Sequence, residues 1–164
     1  MTYYYKALRP DGTDFATGTT KPRKGRWMPR IAGDLIMCER GYHVADAPAE
    51  TLIGGSWPCK LARVEIPDGE WERDGRKLLV PTYRVVGWLP AWWALGPNGE
   101  AVAALIERAK RLTPDEIERL AAAWSAAGSA AWSAADALVV RDLITPEQFD
   151  ILYGPWASVV EAGR

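Results

Sequence analysis

The chain has 164 residues, 48% of them hydrophobic, enough for one domain, or one domain with a helical appendage, to bury its own core without extra staples. Its formal net charge of −1 excludes a whole-molecule field that draws it onto nucleic acid or an anionic membrane, so any such contact must come from a local patch. Cys38 and Cys59 lie far apart without zinc-type spacing and read as reduced core residues. Met1 to Lys6 lacks a signal-peptide apolar region, and no stretch approaches the ~20 apolar residues of a membrane span, so a cytoplasmic protein with no membrane partner is expected.

In chain order, Tyr3 to Leu8 predicts a strand closed by the turn Arg9-Pro10-Asp11-Gly12, where proline fixes φ and glycine accepts a positive φ. A basic loop follows. Lys21, Arg23, Lys24, Arg26 and Arg30 alternate with Pro22, Gly25, Trp27, Met28 and Pro29. It reads as a solvated loop, as a contact for an acidic protein surface, or as a nucleic-acid contact in which arginines hold phosphate and Trp27 stacks on a base. Leu35 to Cys38 and Tyr42 to Ala45 predict strands around a Glu-Arg-Gly turn, and Lys60 to Ile66 alternates polar and apolar residues before Pro67-Asp68-Gly69. Lys77 to Val80 and Thr82 to Leu89 complete a mixed or antiparallel sheet of about five short strands, with Pro81 at an edge or a bulge. Three tryptophans, Trp88, Trp92 and Trp93, crowd the joint that follows, either sealing sheet against helices or, as an exposed Trp92-Trp93 pair, forming a docking surface.

The main boundary falls at Leu95-Gly96-Pro97-Asn98-Gly99, dividing a β-rich region, 1–95, from an alanine- and tryptophan-rich helical region, 100–164, packed on it as one unit. A first helix begins at Glu100. Thr113-Pro114-Asp115-Glu116 and Thr145-Pro146-Glu147-Gln148 each place a capping threonine, a proline at the first helical position and a side chain able to return to the cap amide. These introduce the second and third helices, the last stopping near Gly154-Pro155. Between the caps Ala123-Trp124-Ser125-Ala126-Ala127 is echoed by Ala131-Trp132-Ser133-Ala134-Ala135. Eight residues at about 100° each rotate by about 80°, placing Trp124 and Trp132 on one broad face. They either anchor a helix pair or form a partner-binding stripe. Nine tryptophans against two phenylalanines keep the second reading in play. The expected fold is α+β, a small N-terminal sheet followed by three C-terminal helices.

His43 is the sole histidine, behind Gly41 in an apolar strand pattern. It reads either as a half-buried ring satisfied by backbone or by Asp46, or as an acid or base awaiting a partner. One histidine and two separated cysteines do not make a zinc site, and no Gly-x-Ser-x-Gly elbow, phosphate-binding Walker loop or dinucleotide fingerprint is present.

Tyr5-Lys6-Ala7, Asp11-Gly12, Met37-Cys38-Glu39-Arg40-Gly41-Tyr42-His43 with Ala47-Pro48, Arg63-Val64, Lys77 and Tyr83-Arg84-Val85-Val86 together resemble a bacteriophage and prophage domain of unknown function, whose central signature reads Leu-Cys-Glu-Asn-Gly-Phe-His followed by a proline. The resemblance covers about residues 3 to 90. The helical echo and the ending Arg141 to Pro146 and Tyr153 to Trp156 are similar to tails of small actinobacterial phage proteins. It implies a phage or prophage origin without an attached chemistry. Gly41-Tyr42-His43-Val44-Ala45-Asp46 also resembles the middle motif of ADP-ribosyltransferases, with His43 where that family places its nicotinamide-stacking tyrosine. Lys6 stands where many members carry an arginine or histidine on the first strand, and Glu65 is the carboxylate on a later strand. That resemblance implies NAD as the bound molecule. No cofactor is expected otherwise. The expectation is a small phage-type accessory protein that binds a host or phage macromolecule through its basic loop and tryptophans, with an ADP-ribosyltransferase-like enzyme on Lys6, Tyr42, His43 and Glu65 as the alternative.

Overall fold

A computed structural model describes residues 2–36, 39–69, 71–124 and 130–161, with the side chains of Asp74, 121–124 and Ala130 outside the description. The fold is α+β: a six-stranded antiparallel sheet in the N-terminal half and, among the described residues, four α-helices in the C-terminal half. The chain divides into two compact units, 1–94 and 95–164.

The strands of the first unit are β1 (Tyr4–Leu8), β2 (Tyr42–Ala45), β3 (Lys60–Glu65), β4 (Glu72–Asp74), β5 (Lys77–Val80) and β6 (Arg84–Leu89), in the order β4-β5-β2-β1-β3-β6. Side chains alternate across the sheet, so adjacent Leu61 and Ala62 feed different clusters. Ala62, Val64, Leu78, Val80, Tyr83 and Val85 form one, while Ala7, Cys59, Leu61 and Ala94 form the other. Val85 pairs with Val64 and Gly87 with Arg63, so Val86 bulges and re-aims the end of β6.

Three sequence expectations change here. Leu35 to Cys38 is not a strand among its described residues: Ile36 bridges only to Arg40, four positions on, in a tight turn whose carbonyl accepts from the amides of Glu39 and Arg40. Met37 and Cys38 lie outside the described residues. β4 is an added strand, joined to β5 by a two-residue turn at Gly75 (φ 56°), with Asp74 opposite Lys77. Pro81 follows β5, a strand flanked by β4 and β2, so it ends an interior strand instead of marking an edge.

The basic loop is pinned. The amides of Gly25, Met28 and Ile31 donate to the carbonyls of Val85 (2.8 Å), Tyr83 (2.8 Å) and Pro81 (2.9 Å), and Thr82 Oγ1 donates to Met28 O at 2.7 Å. These bonds tie the loop to Val85 of β6, the outermost strand on that side, and to the segment Pro81 to Tyr83 that leads into it.

The second unit contains α1 (Gly99–Ala109), α2 (Pro114–Trp124), α3 (Ala130–Val139) and α4 (Pro146–Trp156) around Val102, Leu105, Leu120, Leu138 and Trp156. There are four helices where three were expected, because the stretch carrying the echo forms both α2 and α3. Ser125 to Ser129 lie outside the described residues. Thr145 forms the expected capping box with Gln148. The stop at Gly154-Pro155 is not obeyed: α4 carries Pro155 inside and continues as a π-helical turn, Ala157–Glu161. Trp156 is 2% exposed, and Val159 and Val160 are buried beside it, so packing outweighs the lost proline amide.

Candidate functional site

β1 and β2 pair at Tyr5↔Ala45 and part beyond it. Continued antiparallel register would set Lys6 opposite Val44 and Ala7 opposite His43; instead a cleft of about 260 Å³ opens, lined by Lys6, Tyr42 and His43. Asp14 and Phe15 come from the loop after β1, Glu50, Gly54 and Gly55 from the segment after β2, and Lys77 from β5. The carbonyl of His43, which a continuous ladder would pair, accepts instead from Lys6 Nζ at 2.8 Å. The same ammonium stands 5.4 Å from the ring centroid of buried Tyr83, which Tyr42 meets edge-on at 5.2 Å. Tyr42 Oη donates to Pro29 O at 3.0 Å, fixing the ring against the end of the basic loop.

Lys6 is 9% exposed. Burial brings its ammonium down to about 8, opposed in part by the charge of Asp14. Burial alone would raise Asp14, but hydrogen bonds from Thr17 Oγ1 (2.6 Å), Thr17 N (2.7 Å) and Thr20 N (3.1 Å), together with Lys6, hold it below the usual carboxylate range. Burial, then Lys6 and Lys77, lower His43, so its ring is neutral at pH 7. Burial, then Asp14, raise Tyr42. The cleft thus combines an ionised carboxylate, a neutral imidazole and a lysine poised between ammonium and amine just above neutral pH, a combination typical of functional sites.

His43 Nε2 is buried and has no hydrogen-bond partner among the described residues. The expected His43–Asp46 contact does not form, because Asp46 accepts from both terminal nitrogens of Arg73, at 2.6 and 3.3 Å. Glu65 does not line the cleft, being bound to Arg84 across the β3–β6 pair. The carboxylates at the cleft are Asp14 and Glu50, the latter 3.7 Å from Arg76. The spacing Asp14, Thr17, Thr20, a loop locked on its own acid, was the available signal for Asp14. Nothing local marks Glu50 or Lys77, which loop closure and strand pairing bring in.

The other sequence candidates lie elsewhere. Lys21, Arg23, Lys24, Arg26 and Arg30 are exposed along the pinned loop. Trp27 is exposed and carries the Arg84 guanidinium 5.1 Å from its ring centroid. Trp92 and Trp93 meet edge-on at 6.1 Å in the turn Ala91–Leu95, where Trp93 packs on the Cys59–Leu61 cluster. Trp132 is 72% exposed, so it does not anchor a helix pair, and the side chain of Trp124 lies outside the described residues. Cys59 is a free, buried thiol, pushed up to about 11 by burial. Among the described residues no group of three or more His, Cys, Asp or Glu is placed to hold a metal ion, and no helix is long and apolar enough to cross a membrane.

No family model matches the chain, and no match is found among the curated proteins or the solved structures.

Proposed function

We propose that the first unit is an ADP-ribosyltransferase-like module that takes the reacting end of NAD into the cleft between β1 and β2, in a phage-type accessory protein whose acceptor is a host or phage macromolecule in the bacterial cytoplasm. The observation that carries this reading is the convergence of Lys6 with Tyr42 and His43, 36 and 37 positions later, on one cleft where two neighbouring strands part.

The lining fits the parts of the molecule. Lys6 and Lys77 supply positive charge, Phe15 supplies aromatic surface for a nicotinamide with Tyr42 on the neighbouring wall, and Gly55 beside the Phe15 ring and Gly54 beside Lys77 Nζ bring no side chain into the cleft. At about 260 Å³ the cleft is smaller than the roughly 300–1,000 Å³ that encloses a drug-sized ligand, so only the nicotinamide and its ribose enter, the adenylate lying outside. Transfer breaks the bond between nicotinamide nitrogen and ribose and joins the ribose to an acceptor nucleophile, releasing nicotinamide and a proton. Positive charge builds on the sugar, and a nearby carboxylate stabilises it. Glu50 takes this role in place of Glu65, since Asp14 is occupied by three donors within its own loop.

The test is nicotinamide release from NAD by the wild type beside Lys6→Met, His43→Ala and Glu50→Gln. Loss of release in all three, with folding intact by circular dichroism, supports the assignment. Release unchanged in all three, or none from the wild type at millimolar NAD, refutes it. The exposed tryptophans favour a second function of the same molecule, macromolecule binding.

A further inference from the structure

A separate concavity of about 450 Å³ lies at the far end of β3 and β6, lined by Gly12, Lys21, Lys60 and Trp88 together with apolar Pro22 and Leu89. Trp88 pairs with Ala62, and Lys60, two residues before Ala62, shares its face of the sheet, diagonal to the indole. Although Ala62 beside it is fully buried, Trp88 is 47% exposed. Lys21 arrives from the other side: a Cβ on Gly12 would stand 3.3 Å from Lys21 Cε and 3.7 Å from Lys60 Nζ. Two ammonium groups therefore converge on a turn where the left-handed backbone of Gly12 (φ 90°) leaves no side chain between them. Asp11, on the same turn, is taken by the amide and hydroxyl of Thr13 at 2.9 and 2.7 Å. From Lys21 the chain runs on through exposed Arg23, Lys24 and Arg26, held by the amide of Gly25 on Val85 of β6 and that of Met28 on Tyr83 just before it.

We infer that this end of the sheet binds single-stranded nucleic acid, a base stacking on Trp88 while Lys21 and Lys60 hold its phosphate and the pinned loop follows the backbone onward. An aromatic face beside converging cations is the chemistry of a nucleotide unit, and the line of further cations favours a polymer over a free nucleotide. A double-stranded helix buries its base faces and offers Trp88 nothing to stack on. Trp88, not Trp27, is the stacking residue here, because the Trp27 ring already carries Arg84. The inference does not rest on NAD binding in the other cleft.

The experiment is fluorescence anisotropy of a labelled twelve-residue oligothymidine titrated with the whole protein at several salt concentrations. Expected is binding that weakens with salt, a roughly tenfold to hundredfold loss in Trp88→Ala with recovery in Trp88→Phe, and a salt slope shallower by about 1.4 in Lys21→Ala/Lys60→Ala. These side chains lie on the surface, so the variants should keep their fold by circular dichroism. Affinity unaltered by these substitutions, equal binding of thymidine monophosphate, stronger binding of duplex DNA, or equal competition by polyglutamate would each overturn the proposal.

Discussion

At the scale of single residues, Lys6 has the largest consequences. Its ordinary value of 10.5 falls to about 8, so the folded state binds fewer protons than the unfolded chain between those limits. Stability from this group therefore rises as pH climbs from about 8 to 10.5, and below 8 the buried charge costs at most about 3 kcal/mol. Lys6→Met should flatten the pH dependence of unfolding between 8 and 10.5 and leave stability at pH 7 equal or higher, while abolishing ligand binding. A substitution that weakens the protein equally at all pH values would contradict this. His43 works in the same sense at lower pH: its depressed value makes stability fall as pH drops through 6.5, and His43→Ala should remove that acid-side loss in urea titrations. Cys59, with its thiol pushed up to about 11, should resist a disulfide reagent at pH 8 in a Cys38→Ser background until the protein is unfolded. Rapid labelling of the native protein would contradict the burial.

At the scale of elements, the cleft depends on how β2 starts. Gly41 adopts φ 148°, and a Cβ there would meet Leu79 Cδ1 at 2.4 Å, Leu79 being fully buried. Gly41→Ala should cost about 2–4 kcal/mol through strain and overpacking, measured by chemical denaturation. A cost below about 0.5 kcal/mol, the range of ordinary surface changes, would mean the turn relaxes freely. The elements that sequence located well are those coded within a few residues. Thr113 and Thr145 both cap as their spacing predicts, with Glu116 accepting from Thr113 N at 2.8 Å and Gln148 from Thr145 N at 2.9 Å. β4 escaped notice because Glu72-Arg73-Asp74 has no apolar alternation, leaving the Asp74-Gly75 turn as the one clue. The run through Pro155 was illegible for the opposite reason, since its cause is the distant packing of Trp156. In the cleft, Lys6, Tyr42 and His43 were readable because they lie on strands with recognisable patterns. That Glu65 lies outside the cleft was not legible, because its partner, Arg84, lies 19 residues away on another strand.

At the scale of the whole molecule, tryptophan does two jobs in the second unit. Trp156 is 2% exposed at the centre of the helical core and Trp132 is 72% exposed. Trp156→Ala should cost about 3–5 kcal/mol, against less than about 0.5 for Trp132→Ala, in thermal or chemical unfolding. Equal effects would show that Trp132 is buried in solution, by a second copy or otherwise. The net charge of −1 means that the cationic end of the first unit acts as a local patch within a near-neutral surface. On this account one unit carries both a dinucleotide cleft and a polymer-binding edge, on different strands of one sheet.

The most direct measurement is saturation-transfer NMR of NAD with the wild-type protein and with His43→Ala. The account predicts saturable binding, with the strongest transfer to the nicotinamide protons, weaker transfer to the adenine, and loss of both in the variant. Absence of saturable binding, or transfer that is unchanged in His43→Ala, would contradict it.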